Sequence, residues 1–382
     1  MPLHFESAEF ASRKTRAIEE MGHEGLEALL MFRQESLYYL TGCDGSAYCR
    51  FQVLLLQDNG DLALLLYEID LPQARLTSGI DDIRCLPWTA TADPAGALAD
   101  VLREKGLGGK RVGIELDAWG INAALWAAIE RTCGELCRLS DASRLIDRLR
   151  VVKSAAEIAC VRQAAALADD SLAAAIAETR AGADEGAIAA AMSGAVLAGG
   201  GDLANGFVMG SGRSALLVRG HAGYRTLDAN DQLQLEFGAA YRRYHACLMR
   251  VLLTGRAGAR QRAMFDACAE AIAACQDACR PGATAGDIFD AHARVFDAAG
   301  YEAYRLKACG YSLGATYGAT WMDYPMLYSG NDAPVLPGMV FFMHMILVDH
   351  DRGLAMSLGE TALVTERGCE TLTRMPRELV EA

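Results

Sequence analysis

No stretch of this sequence is apolar for long enough to cross a bilayer. Its apolar runs, such as residues 53–56 and 62–66, have the length of β-strands. Glu6, Glu9 and Arg13 stand where a secretion signal needs an unbroken apolar core. Basic residues are short as well: 36 Lys and Arg face 49 Asp and Glu, a formal net charge of −13. Nucleic acid and anionic membranes are bound through a basic face, so neither is an expected partner. Paired cysteines are missing too, since the twelve cysteines are scattered and include no CxxC. That pattern predicts reduced thiols in the cytoplasm, most of them small core residues. Short-period repeats and low-complexity segments are also absent.

What is present builds a core. Of the 382 residues, 52% are hydrophobic and 22% charged, the balance of a well-packed chain long enough for two domains. Residues 1–150 alternate helix and strand: a helix over 7–21, a strand over 28–32, and a hairpin of 53–56 with 62–67 turning at Asn59-Gly60. A strand at 111–114 and a helix over 117–132 follow, so a small α/β domain is expected. The character changes near residue 150. Ser154 and Glu157 have the spacing of a capping box and open a long Ala-rich helix. A helix over 184–198, strands over 233–240 and 245–254, helices over 259–279 and 285–299, and a β-forming tail over 340–365 complete residues 151–382. Helices enclosed by antiparallel strands predict α+β architecture for this second domain.

Several residues carry chemistry. His221, in "LLVRGHAGYRTL", can exchange a proton near neutral pH, or is simply a loop histidine between two glycines. Cys247 is either a nucleophile or a small buried residue. Trp321 and Asp323, in "ATYGATWMDYPMLYSG", can hold a cation with an aromatic face and a counter-charge, or pack a loop. Arg219 and Arg250 can grip a substrate carboxylate, and Arg250 can equally pair with an acid of the protein.

The segments "RVVKSAAEIACVRQAA", "LQLEFGAAYRRYHACLMR", "CGYSLG", "VLPGMVFFMHM" and "GETALVTERG", with "LYYLTGCDG" before them, occur in the order and spacing of the creatinase/prolidase/aminopeptidase P family. The chain resembles that family over nearly its whole length. The resemblance implies a pita-bread C-terminal domain behind a smaller α/β domain. In metal-dependent members two Asp, one His and two Glu hold two metal ions. The matching positions here are Glu236, Cys247, Tyr311, His344 and Glu360, so only the last is kept. Two carboxylates are too few to neutralise two divalent ions, and a phenol is a poor ligand at neutral pH. The resemblance is nearest to creatinase and ectoine-hydrolase-like members, which cleave C–N bonds without metal.

From this resemblance we expect a hydrolase of a small, carboxylate-bearing amide or amidine that needs no cofactor. His221 would be the acid–base, and Glu236, His344 and Glu360 would share one pocket. Tyr311, Trp321, Asp323 and Arg219 would bind substrate. Tyr48 and Arg50, in "DGSAYCRFQ", match the family's cap and would reach the partner's site in a homodimer. Two alternatives remain open. One is an Xaa-Pro-type dipeptidase with one zinc or other divalent ion on Glu236, Cys247, His344 and Glu360. The other is an inactive binding or interaction module.

Overall fold

The computed structural model describes all residues except Met1, Pro2, Ala222 and Tyr224. The chain divides into two compact units, Met1–Arg150 and Val151–Ala382.

The first unit contains α1 (Ser7–His23), β1 (Ala28–Met31), α2 (Gln34–Thr41), β2 (Val53–Gln57), β3 (Leu62–Tyr67), α3 (Leu71–Thr77), β4 (Ile83–Leu86), α4 (Pro94–Glu104), β5 (Arg111–Ile114), α5 (Ala123–Gly134), β6 (Arg138–Asp141) and, at its end, α6 (Leu145–Val151). Its sheet runs β4-β3-β2-β1-β5-β6, with β1 antiparallel to β2 and parallel to β5. β1 is buried along its whole length because apolar clusters cover both faces of the sheet. The expected helix over 117–132 starts later than its apolar pattern suggests. Asn122 caps it by accepting a hydrogen bond from the Leu125 amide at 3.0 Å. α2 is a difference from the sequence reading, which placed no helix over "QESLYYLT". All eight of its residues are buried, Gln34, Glu35, Ser36 and Thr41 included, so it lacks the apolar-polar division that marks a surface helix.

The second unit contains α7 (Ala155–Glu178), α8 (Glu185–Ala198), β7 (Asp202–Leu203), β8 (Val208–Ser211), β9 (Asp231–Tyr241), β10 (Tyr244–Thr254), α9 (Ala259–Ala278), α10 (Ala285–Ala298), β11 (Gly310–Ser312), β12 (Asp323–Met326), β13 (Val340–Asp349), β14 (Leu354–Thr365), β15 (Gly368–Thr371) and β16 (Val380–Glu381). The capping box forms as its spacing predicts: the Glu157 amide donates to Ser154 Oγ at 3.3 Å, and the Ser154 amide to Glu157 Oε2 at 2.8 Å.

One large sheet runs β12-β11-β13-β14-β10-β9-β7, with β8, β15 and β16 attached to β9, β14 and β10. β9 and β10 pair along eleven residues and turn through Arg242 and Arg243, both left-handed at φ 50 and 70, as a two-residue hairpin turn requires. Leu233, Leu235, Phe237 and Leu248 join the core built with α7 and α8. Met343, Met345, Met356 and Leu358 join the core built with α9 and α10. The helices thus cover the face that carries these residues and leave the face of the Glu236 row for a site, although at its Gln232 end that face also gives Val251 and Leu253 to the α9–α10 core. This mixed helix-and-sheet unit is the α+β domain that the sequence predicts.

Candidate functional site

Side chains alternate across a strand, so pairing partners decide which residues share the uncovered face. Glu236 pairs with Met249, Met249 with Gly359, and Gly359 with His344. One step nearer the hairpin, Gly238 pairs with Cys247, Thr361 with Phe342, and Phe342 with Tyr311. Four of the expected site residues, Glu236, Cys247, Tyr311 and His344, therefore lie together.

Glu236 is at the centre of this group. Trp321 Nε1 donates to Tyr311 Oη at 2.7 Å, and Tyr311 Oη donates to Glu236 Oε1 at 3.2 Å. Burial raises the Glu236 pKa to about 7, against the opposing pull of the Tyr311 hydrogen bond and the Arg219 charge. The carboxyl is thus poised to give or take a proton near neutrality. Burial and the nearby carboxyl hold the Tyr311 phenol well above its usual value, so it stays a donor. The same two causes push the Cys247 thiol up, which removes the thiolate a nucleophile needs. Burial lowers the His344 pKa to about 4, leaving a neutral imidazole whose ring centre lies 5.6 Å from that of Tyr311.

Glu360 does not join them. It pairs with Met343, so its side chain lies on the opposite face of the sheet. There it accepts from Arg250 Nη2 at 2.7 Å and from Thr373 Oγ1 at 2.6 Å, with both members of the ion pair almost inaccessible. The position facing Glu236 is Gly359. A Cβ added there would sit 2.7 Å from both Met249 Cβ and a Phe342 ring carbon, so the space is filled. Arg250 takes the structural role that the sequence left open.

The remaining candidates are placed less tightly. His221 is exposed on the segment that also carries Arg219, whose charge is felt at Glu236. Trp321 is buried rather than lining an open loop, and its indole nitrogen is used by Tyr311. Asp323 begins β12 and accepts a hydrogen bond from the Tyr324 amide at 3.0 Å. In the first unit Tyr48 is half-buried, and exposed Arg50 holds its guanidinium 5.5 Å from the Trp88 ring centre.

Two family profiles match this chain: the creatinase/prolidase N-terminal domain over residues 13–152, and metallopeptidase family M24 over residues 159–366. The chain belongs to metallopeptidase family M24. Similar proteins include the uncharacterized hydrolase/peptidase y4tM of Sinorhizobium fredii, 29% identical across 99% of this chain and 98% of its own. The ectoine hydrolase of Halomonas elongata is 26% identical, again over 99% and 98%. Among solved structures, dipeptidase PepE from Mycobacterium ulcerans superposes with a TM-score of 0.85 at 25% identity, covering 98% of each chain. The pita-bread fold with a separate N-terminal domain is thereby established, and so is the hydrolase class.

Family membership corrects the expectation that no cofactor is needed. M24 is a family of metallopeptidases, and its prolidase-type members are typically dinuclear metal enzymes. The residues here nevertheless do not fit a two-metal centre. The five positions supply one carboxyl, a thiol, a phenol, an imidazole and a glycine on the shared face. Among the described residues, no group of three or more His, Cys, Asp or Glu could hold a metal ion. The single-zinc set fails on the same geometry, because Glu360 is turned away and committed to Arg250.

Proposed function

We propose that this M24 protein hydrolyses a C–N bond in a compact amide or amidine that bears a carboxylate, with Glu236 at the reacting centre. The observation that carries this reading is the state of Glu236. It is the carboxyl that the register puts beside Cys247, Tyr311 and His344, it is tuned to neutral pH, and a buried tyrosine and tryptophan hold it in place. A general acid or base works best with a pKa near the operating pH. His221 exchanges the second proton from the adjoining segment, and Arg219 on that segment binds the substrate carboxylate. His344 and Tyr311, both uncharged, orient the bond to be cleaved. Similarity to a protein named ectoine hydrolase supports a small cyclic amidine or its opened amide as the kind of substrate.

The test is a panel of ectoine, creatine, N-acetylglycine and Gly-Pro, assayed with and without added Mn²⁺ or Zn²⁺. Turnover of one of the first three is expected, with His221→Ala lowering kcat by about 10²–10⁴-fold. Cleavage of Gly-Pro alone, or His221→Ala at full activity, would sink the reading.

The same reading includes a homodimer in which Tyr48 and Arg50 of one subunit complete the partner's site. The exposed Arg50 stacked on a half-exposed Trp88 supports it, since such a cation–aromatic pair suits an interface. Sedimentation velocity is expected to return a dimer at assay concentrations; a monomer with full activity removes this part. The twelve free cysteines support a reducing, cytoplasmic setting. No helix among the described residues is long and apolar enough to cross a membrane.

A further inference from the structure

The residue two positions before Glu236 lies on the same face of β9 and has no function in the reading above. Gln234 is 1% exposed, yet neither its amide nitrogen nor its amide oxygen has a hydrogen-bond partner in the protein. Buried polar groups are almost always paired, because an unpaired one loses its bonds to water and gains none in return. An amide with both ends unused is therefore a costly arrangement that needs a reason.

Its surroundings supply one. Two residues earlier, Gln232 crosses to the start of β14: its Oε1 accepts from the Ala355 amide at 3.0 Å and its Nε2 donates to the Gly353 carbonyl at 2.8 Å. These bonds close that end of the face. β9 and β14 run in the same direction on either side of β10, which puts Glu236 level with Gly359; carried one step past the last β10–β14 pair, Arg250–Leu358, the same register puts Gln234 level with Ser357. The Ser357 hydroxyl is also buried and also unpartnered. On the Glu236 row, His344 Nδ1 is another buried polar atom with no partner beyond its own main chain. Strand parity thus places these three side chains, from three strands, on one side of the sheet, with Gln234 and Ser357 between the closed end and the Glu236 row and Val251 packed beneath them.

We propose that Gln234, with Ser357 beside it, determines substrate specificity by recognising a neutral amide edge, as in a carboxamide, lactam or ureide, on the buried end of the substrate. This rests on the reading of Glu236 as the reacting group, adds the substrate's orientation to it, and narrows the substrate to the amide, since a protonated amidine carries a full charge. A carboxamide presents one donor and one acceptor side by side, and its complement is a ligand edge with a carbonyl and an N–H on the same side. Gln234, Ser357, Met249 and His344 place no full charge there. A carboxylate or ammonium pushed against them would lose water without gaining a counter-charge. The neutral edge therefore enters first, next to Glu236, and the substrate's carboxylate is left toward Arg219.

The experiment compares 2-pyrrolidone with N-methyl-2-pyrrolidone, which differs by losing the N–H, in ligand-observed NMR titrations of the full chain at up to about 10 mM. The wild type is expected to bind the N–H lactam at least about tenfold more tightly. Gln234→Met is expected to bind both alike, and to melt at the same temperature or about 2–4 °C higher, because it removes an unsatisfied buried amide. Wild-type protein that binds neither lactam, or binds both equally, overturns the proposal. So does a Gln234→Met variant that keeps the preference, or one that melts lower, which would make the amide a structural group. Neither readout requires turnover. A protein that discriminates the lactams but hydrolyses nothing in the substrate panel would defeat the proposed activity and leave this recognition intact.

Discussion

Arg250→Met is expected to destabilise the second unit by about 3–5 kcal/mol while leaving the activity of the folded fraction within about threefold of wild type. The ion pair with Glu360 is almost fully buried, at 2% and 1% side-chain exposure, so removing the guanidinium leaves a carboxylate without its main counter-charge. Thr373 still donates to Glu360, and Arg377 Nε lies 3.5 Å from it, which draws the cost toward the lower end. Arg250 Nη1 also donates to the carbonyls of Met249 and Gly359, at 3.0 and 2.9 Å, so the substitution loosens the seam between β10 and β14 as well. Removing both charges in Arg250→Met/Glu360→Leu should recover much of the loss, because an apolar pair has no buried charge left to compensate. Urea denaturation of the two variants measures both quantities. If Glu360→Gln instead abolished activity at unchanged stability, Glu360 would be a site residue and the strand register argument would fail.

That register is legible in the sequence itself. In "AMSLGETALV" the residues Met356, Leu358, Ala362 and Val364 alternate with Ser357, Gly359 and Thr361, and Glu360 is in phase with the apolar set. Letter-by-letter matching of the last motif puts Glu360 in the pocket, whereas its two-residue period puts Gly359 there. The same period in "DQLQLEF" puts Gln232, Gln234 and Glu236 on one side and Leu233, Leu235 and Phe237 on the other. Elements with strong local signals came out well: the capping box at Ser154, the β9–β10 hairpin, and the helices from Ala259 and Ala285. α2 escaped because its burial is set by tertiary neighbours rather than by its own pattern. The Trp321–Tyr311–Glu236 chain escaped for another reason. It joins residues ten and seventy-five positions apart, and no spacing rule encodes a hydrogen bond of that range.

Glu236→Gln is expected to lower kcat by about 10²–10⁴-fold and, unusually for an active-site loss, to raise stability at alkaline pH. The sign follows from the direction of the shift. Folding raises the carboxyl's pKa from 4.5 to about 7, so the fold favours the protonated form. That contribution is fully present below the unfolded pKa and is lost as pH rises through the folded one. Above about pH 8 the wild type must hold an ionised carboxylate in a largely dry site, at a cost of about 3 kcal/mol. Glutamine keeps the shape and never ionises, so the variant should be more stable than wild type at about pH 8, with the difference shrinking to nothing toward pH 4. Tyr311→Phe tests the other half of the geometry. It deletes a hydrogen bond that pulls the Glu236 pKa down, so the limb of the kcat/KM profile that reports Glu236 should move to higher pH. An unmoved limb, together with a Glu236→Gln stability curve parallel to wild type from pH 4 to about 8, would mean that Glu236 is ordinarily ionised and that the chemistry is centred elsewhere.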